Sequence, residues 1–157
     1  MAKVVVCQQS IPILTAGKCT EQHEYKNWLG RVLEKGMAGP IGSYPTVMNA
    51  DRMKTAYDGD SIFTDIGLNA KVIALPGHTS DSIGLYFPGE KILFCGDAAM
   101  NRSPLNANRH TVLIENINDF GASWDKMISL SPKLIYPGHG KPFSVWDLQK
   151  YRNYLTK

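Results

Sequence analysis

The sequence predicts a single α/β (α+β) domain over residues 1–157, and three observations carry that prediction. Short β-type runs alternate with helical stripes along the chain. Hydrophobic residues make up 43% and charged residues 20%, the balance of a globular protein rather than a disordered one. Three of the β-type runs end in glycine-containing turns of the same design, which suits strands of one sheet delivering side chains to one edge.

The elements follow in order. Lys3 to Cys7 reads as a buried strand, because three consecutive β-branched valines suit a pleated surface. From Thr20 to Lys35 the residues Tyr25, Trp28, Leu29, Val32 and Leu33 form one helical stripe, with Gly36 placed to end it. Gly39 to Asp60 is an irregular connection marked by Pro40, Gly42, Pro45 and the turn Asp58-Gly59-Asp60, with a short strand around Thr46 to Met48. Four β-type runs come next: Ser61 to Thr64, Lys71 to Leu75, Ser82 to Phe87 and Lys91 to Cys95. Pro88-Gly89-Glu90 forms a hairpin turn between the last two. After a polar loop from Asn101 to His110, a helix is marked by Ile117, Phe120, Trp124, Met127 and Ile128, capped by Asn116 or Asn118. Lys133 to Tyr136 is a strand, and Ser144 with Asp147 resembles a capping box opening a last helix to Leu155. The chain has no internal repeat.

Composition excludes several classes of function. The net charge of +3 comes from scattered Lys and Arg without a basic run, which argues against nucleic-acid binding. No apolar stretch reaches about 18 residues, and Val4-Val5-Val6 is too short a run for a signal peptide, so a cytoplasmic location without membrane contact is expected. Cys7, Cys19 and Cys95 are odd in number and lack C-x-x-C spacing, which predicts reduced thiols, with Cys95 a small buried hydrophobe.

The three alike turns are Leu75-Pro76-Gly77-His78-Thr79, Phe94-Cys95-Gly96-Asp97 and Tyr136-Pro137-Gly138-His139-Gly140. Each puts a metal-competent side chain where a strand stops. His78, Asp97 and His139 are therefore candidate ligands, of types that suit zinc, with iron or manganese as alternatives. Taken singly, His78 caps a turn, Asp97 bonds loop amides and His139 is a surface histidine. Asp81 is a candidate partner for the His78 ring, and Thr79 and Ser80 can fix the turn through backbone bonds. His23 reads as exposed, and His110 is an unpaired loop histidine.

Pro76-Gly77-His78-Thr79-Ser80-Asp81-Ser82-Ile83-Gly84-Leu85-Tyr86 resembles the P-G-H-T segment of metallo-β-lactamase-fold hydrolases. Gly96-Asp97 and Pro137-Gly138-His139-Gly140 resemble that family's later G-D and P-G-H-G pieces, in the same order. The resemblance covers most of Val4 to Leu155 and implies an αββα sandwich. In it, the residue matching His78 binds one metal with two histidines of an upstream H-x-H-x-D-H motif. The residue matching His139 binds a second, and the one matching Asp97 bridges both. A bridging hydroxide then attacks a carbonyl or phosphoryl centre. By this resemblance Asp97 is also the catalytic residue.

The sequence departs from the family pattern, because it contains no H-x-H. The resemblance implies a truncated domain, mainly the C-terminal sheet and its helices, beginning just past the motif. A sheet stripped of its partner layer leaves apolar surface wet at ~25 cal/mol per Å², so a homodimer or a complementing chain is expected. Three functions follow: a metal-dependent hydrolase acting on a small-molecule substrate, alone or as half of a two-chain enzyme; a non-catalytic interaction module that dimerises; or a fragment of a longer hydrolase. Arg102 and Arg109 are the candidates for contacting an anionic substrate.

Overall fold

The computed structural model describes residues 4–16, 25–26, 50–101 and 108–156. In chain order its elements are β1 (Val4–Cys7), α1 (Ser10–Ala16), β2 (Tyr25–Lys26), a 3-10 turn (Ala50–Arg52), β3 (Met53–Ala56) and a 3-10 turn (Thr64–Ile66). There follow β4 (Lys71–Ala74), β5 (Ile83–Phe87), β6 (Ile92–Gly96), β7 (Leu113–Ile114), α2 (Ile117–Ser129), β8 (Leu134–Pro137), α3 (Val145–Tyr151) and a closing 3-10 turn (Arg152–Thr156).

The main sheet has the order β4-β5-β6-β8. Strand β5 is antiparallel to β4 and β6, while β6 and β8 are parallel. Hence β4, β6 and β8 all run the same way, and their C-terminal ends meet at one edge. Two two-stranded pairs stand beside this sheet: β1 with β3, parallel, and β2 with β7, antiparallel.

One face of the sheet carries the core. Leu75, Tyr86, Leu93, Cys95 and Ile135 are buried there against Phe120, Trp124 and Met127 of α2 and Leu148 of α3. The buried positions of α2 recur three and four residues apart, so the helix presents one stripe to the sheet. Its N-terminus is capped by Asn116, whose Oδ1 accepts from the amides of Asn118 at 2.9 Å and Asp119 at 3.0 Å.

The opposite face is apolar too. Ile83, Leu85, Phe87, Ile92, Phe94, Leu134 and Tyr136 point there, where a one-sided antiparallel sheet would carry polar residues. A small cluster of Ala56, Ile62 and Val72, packed with Val5, Phe63, Ile83 and Leu85, covers its β4 side. Phe94, stacked on Tyr136, stays 45% exposed, so the cover stops short of β8. Between the two lies a trough of about 310 Å³ lined by Val5, Ile62, Phe63, Ile83, Leu85 and Phe94.

Several sequence expectations change. Tyr25 and Lys26, assigned by periodicity to a helix over Thr20–Lys35, form a strand on β7; tertiary pairing overrides a helical stripe here. The rest of that helix, and the strand around Thr46 to Met48, lie outside the described residues. The irregular region contains β3, whose parallel pairing with β1 leaves no local turn signal. Ser61 to Thr64 is not a strand: Ser61 makes a single bridge to Lys71, and Thr64 opens a 3-10 turn closed by Gly67 at φ 78°. Helix α1 has only seven residues with Pro12 in its first turn, too short for a legible stripe. Ser144 is at the N-cap of α3 but makes no side-chain cap bond, so the capping box does not form. Asp147, its would-be partner, faces Arg109 at 3.5 Å instead.

Candidate metal centre

The strand directions bring His78, Asp97 and His139 to one edge of the sheet. His78 Nε2 lies 3.7 Å from Asp97 Oδ2, and His139 Nε2 lies 3.6 Å from the same oxygen. Two donors on one tetrahedral zinc stand roughly 3.3–3.4 Å apart, given bonds of about 2.0–2.1 Å. The separations are therefore near those of neighbouring ligands, and too long for direct hydrogen bonds. As placed they do not form a finished site: among the described residues no group of three or more His, Cys, Asp or Glu is gathered closely enough to hold an ion. Both histidines are arrayed on one carboxylate oxygen, so the arrangement is open. It opens on the His139 side, whose side chain is 53% exposed against 22% for His78.

Asp97 Oδ1 is buried with no hydrogen-bond partner among the described residues, a condition it shares with Arg52 Nε, Arg109 Nε, His110 Nε2 and Thr111 Oγ1. A buried polar atom left unmatched costs roughly 1–3 kcal/mol, so this oxygen adds nothing to stability as placed. Gly138 packs directly on it: a Cβ there would stand 2.5 Å from Asp97 Oδ1, so only glycine fits beside the carboxylate.

Helix α2 fixes two of the three turns. Ser123 Oγ donates to the Pro76 carbonyl at 2.6 Å, and Trp124 Nε1 donates to the Ala98 carbonyl at 2.7 Å. Gly77, at φ 131°, lies so close to the Phe120 backbone that a side chain there would overlap it. The His139 turn is tied separately, by Gly138 N donating to Gly96 O at 2.7 Å and Asn101 N to His139 O at 3.0 Å.

The His78 ring is oriented by a partner absent from the sequence reading. Its Nδ1 lies 2.7 Å from the Leu113 carbonyl, which can only accept, so Nδ1 carries the proton and Nε2 presents its lone pair toward Asp97. Asp81, the expected partner, instead accepts from Thr79 Oγ1 and Ser10 Oγ, each at 2.6 Å. Nothing local in the sequence pairs position 78 with 113; the contact comes from β7 crossing the sheet edge. The side chain that bonds the turn's backbone is Ser82 rather than the expected Thr79 or Ser80: Thr79 N donates to Ser82 Oγ at 3.3 Å, while Thr79 Oγ1 meets the side chains of Asp81 and Ser82.

The remaining candidates serve packing. Burial pushes the Cys95 thiol up to about 12, so it stays protonated as a small hydrophobe. Arg109 is engaged by Asn101 Oδ1 at 2.6 Å, by Asp147 and by the Phe143 ring; Arg102, Cys19 and His23 lie outside the described residues. His110 is buried edge-on against Trp124, apart from the trio's contacts. A cavity of about 170 Å³ adjoins the His78 turn through Pro76, Ser80 and Ser82, but none of the trio lines it.

Burial lowers the His110 pKa from 6.5 to about 4, only partly offset by the Tyr151 carbonyl. Above pH 6.5 folded and unfolded chains are both neutral at this site. Below it the unfolded chain takes a proton that the folded one refuses until about pH 4, so stability falls across this window by about 3 kcal/mol. Urea unfolding at pH 7.5 and 4.5 is expected to show that loss in the parent and a smaller one in His110→Gln; equal losses would remove His110 as the cause.

Comparison with known proteins agrees with this architecture. The beta-lactamase-like protein 2 homolog of Caenorhabditis elegans is 34% identical over 90 residues, 57% of this chain and 28% of that protein. The hydroxyacylglutathione hydrolase of Shewanella pealeana is 55% identical over 40 residues, 26% of this chain and 14% of that protein. This chain thus spans less than a third of the length of either. The solved archaeal metallo-beta-lactamase superfamily protein from Sulfolobus tokodaii superposes with a TM-score of 0.65 at 17% identity, covering 99% of this chain and 59% of that one. Residues 14–139, which include His78, Asp97 and His139, match the Metallo-beta-lactamase superfamily, and the chain belongs to that family.

Proposed function

We propose that this chain supplies the His78, Asp97 and His139 ligands of a metal-dependent hydrolase acting on a small-molecule substrate. The remaining ligands come from polypeptide outside this sequence. The observation that carries the reading is Asp97, one carboxylate oxygen facing two histidine Nε2 atoms and the other buried without a partner among the described residues. Two imidazoles and a carboxylate suit zinc and also accommodate iron or manganese. Such an ion supplies Lewis acidity toward a carbonyl or phosphoryl group. His78 is held in the tautomer that offers Nε2, His139 binds from the open side, and Asp97 is the shared anionic ligand. The sequence similarity to a hydroxyacylglutathione hydrolase supports hydrolysis as the reaction class.

A second reading is an interaction module that pairs with a second copy of itself. The observation favouring it is the apolar outer face of β5, β6 and β8, with Phe94 45% exposed.

Zinc titration calorimetry on chelator-stripped protein, with light scattering on the same samples, separates the two. The hydrolase reading expects zinc binding that disappears in His139→Ala. A dimer that binds no zinc, alone or mixed with a polypeptide carrying an H-x-H-x-D-H segment, would discard that reading and favour the module.

A further inference from the structure

The segment 113–116 wraps the His78 turn from several sides. Leu113 O accepts from the His78 ring Nδ1–H at 2.7 Å. Glu115 N donates to Gly77 O at 2.8 Å and to His78 O at 3.2 Å, and Asn116 N also donates to Gly77 O, at 3.1 Å. The last contact is made by a side chain: the Glu115 carboxylate accepts from the Ser80 amide. The backbone bonds fix the residues up to position 78, whereas, among the described residues, this bond ties the descending limb of the turn to the segment that follows β7. A carboxylate accepting from an amide is also stronger than a neutral bond, about twofold.

We infer that Glu115 is a positioning residue for His78, its carboxylate holding the turn against β7 so that the ring keeps Nδ1–H on the Leu113 carbonyl and Nε2 toward Asp97. It touches no reacting group and acts only through the ring. The inference rests on reading His78 as a metal ligand, yet its geometric part is observable without metal. The other side-chain partners of the turn act within this same limb or toward Ser10: Asp81 serves Thr79 and Ser10, and Ser82 serves the Thr79 amide and hydroxyl. None of them takes the Ser80 amide.

The test is long-range 15N–1H correlation of the imidazoles in the metal-free full chain at pH 8, with His78 assigned by its loss in His78→Gln. The parent is expected to show a single Nδ1-protonated tautomer at His78. Glu115→Ala is expected to show a mixture of tautomers and about 10-fold weaker zinc binding. Glu115→Gln, whose amide oxygen still accepts from Ser80, should restore the parental pattern. A parental pattern in Glu115→Ala overturns the inference. Should Glu115→Ala fail to fold, Glu115→Gln decides alone, the parental pattern supporting the inference and a mixture overturning it. Absence of zinc binding in the parent would strike the ligand reading instead and leave the tautomer result to stand or fall by itself.

Discussion

Asp97→Ala is expected to weaken zinc binding by at least ~100-fold while leaving the metal-free protein melting no lower than the parent. The two halves of this expectation come from the same geometry. Asp97 Oδ2 faces both histidines, so its removal takes away the one anionic donor they share. Its Oδ1 is buried with no partner among the described residues, so the folded protein loses an unmatched acceptor rather than a bond. The contacts to His78 and His139 at 3.7 and 3.6 Å are too long to offset that cost when the histidines are neutral. Calorimetric titration and thermal melting at pH 8 check it. A variant that melts well below the parent but still binds zinc would assign Asp97 to the fold instead of the metal.

Trp124→Ala carries the largest expected loss of stability, about 3–5 kcal/mol, against the 5–15 kcal/mol a domain ordinarily has. Trp124 is fully buried, packs on Phe120 and His110, and donates to the Ala98 carbonyl. Truncation opens a cavity between α2 and the sheet and leaves that carbonyl unmatched beside Asp97. A fall in Tm of roughly 10 °C is expected for a chain of this length. Trp124→Phe separates the two contributions, since it keeps most of the packing and deletes only the indole donor. If Trp124→Ala changed the melting by only a degree or two, the helix would not be what seats the Asp97 turn.

Both expectations depend on α2 as much as on the ligand turns, and this was legible only in part. The stripe Phe120, Trp124 and Met127 and the Asn116 cap could be read from periodicity and composition. That Ser123 and Trp124 would reach the carbonyls beside His78 and Asp97 could not, because those bonds span 47 and 26 residues and leave no spacing signal. The same limit explains β3 and β7, which are short strands made by long-range pairing. It also explains Ser144 and Asp147: their spacing matches a capping box, but a nearby Arg109 competes for the carboxylate.

The strands that end in His78, Asp97 and His139 can be read along the chain, because each turn is encoded locally by an apolar run and a glycine, as can the helical stripe of α2. The family to which the chain belongs is legible there too. It takes the folded arrangement to show that the three strands run the same way, that both histidines face one oxygen of Asp97, and that the Leu113 carbonyl sets the tautomer of His78. Strand direction follows from pairing, and ring orientation from whichever backbone crosses nearby. Both are settled by contacts between residues far apart in the chain, which local chemistry cannot specify.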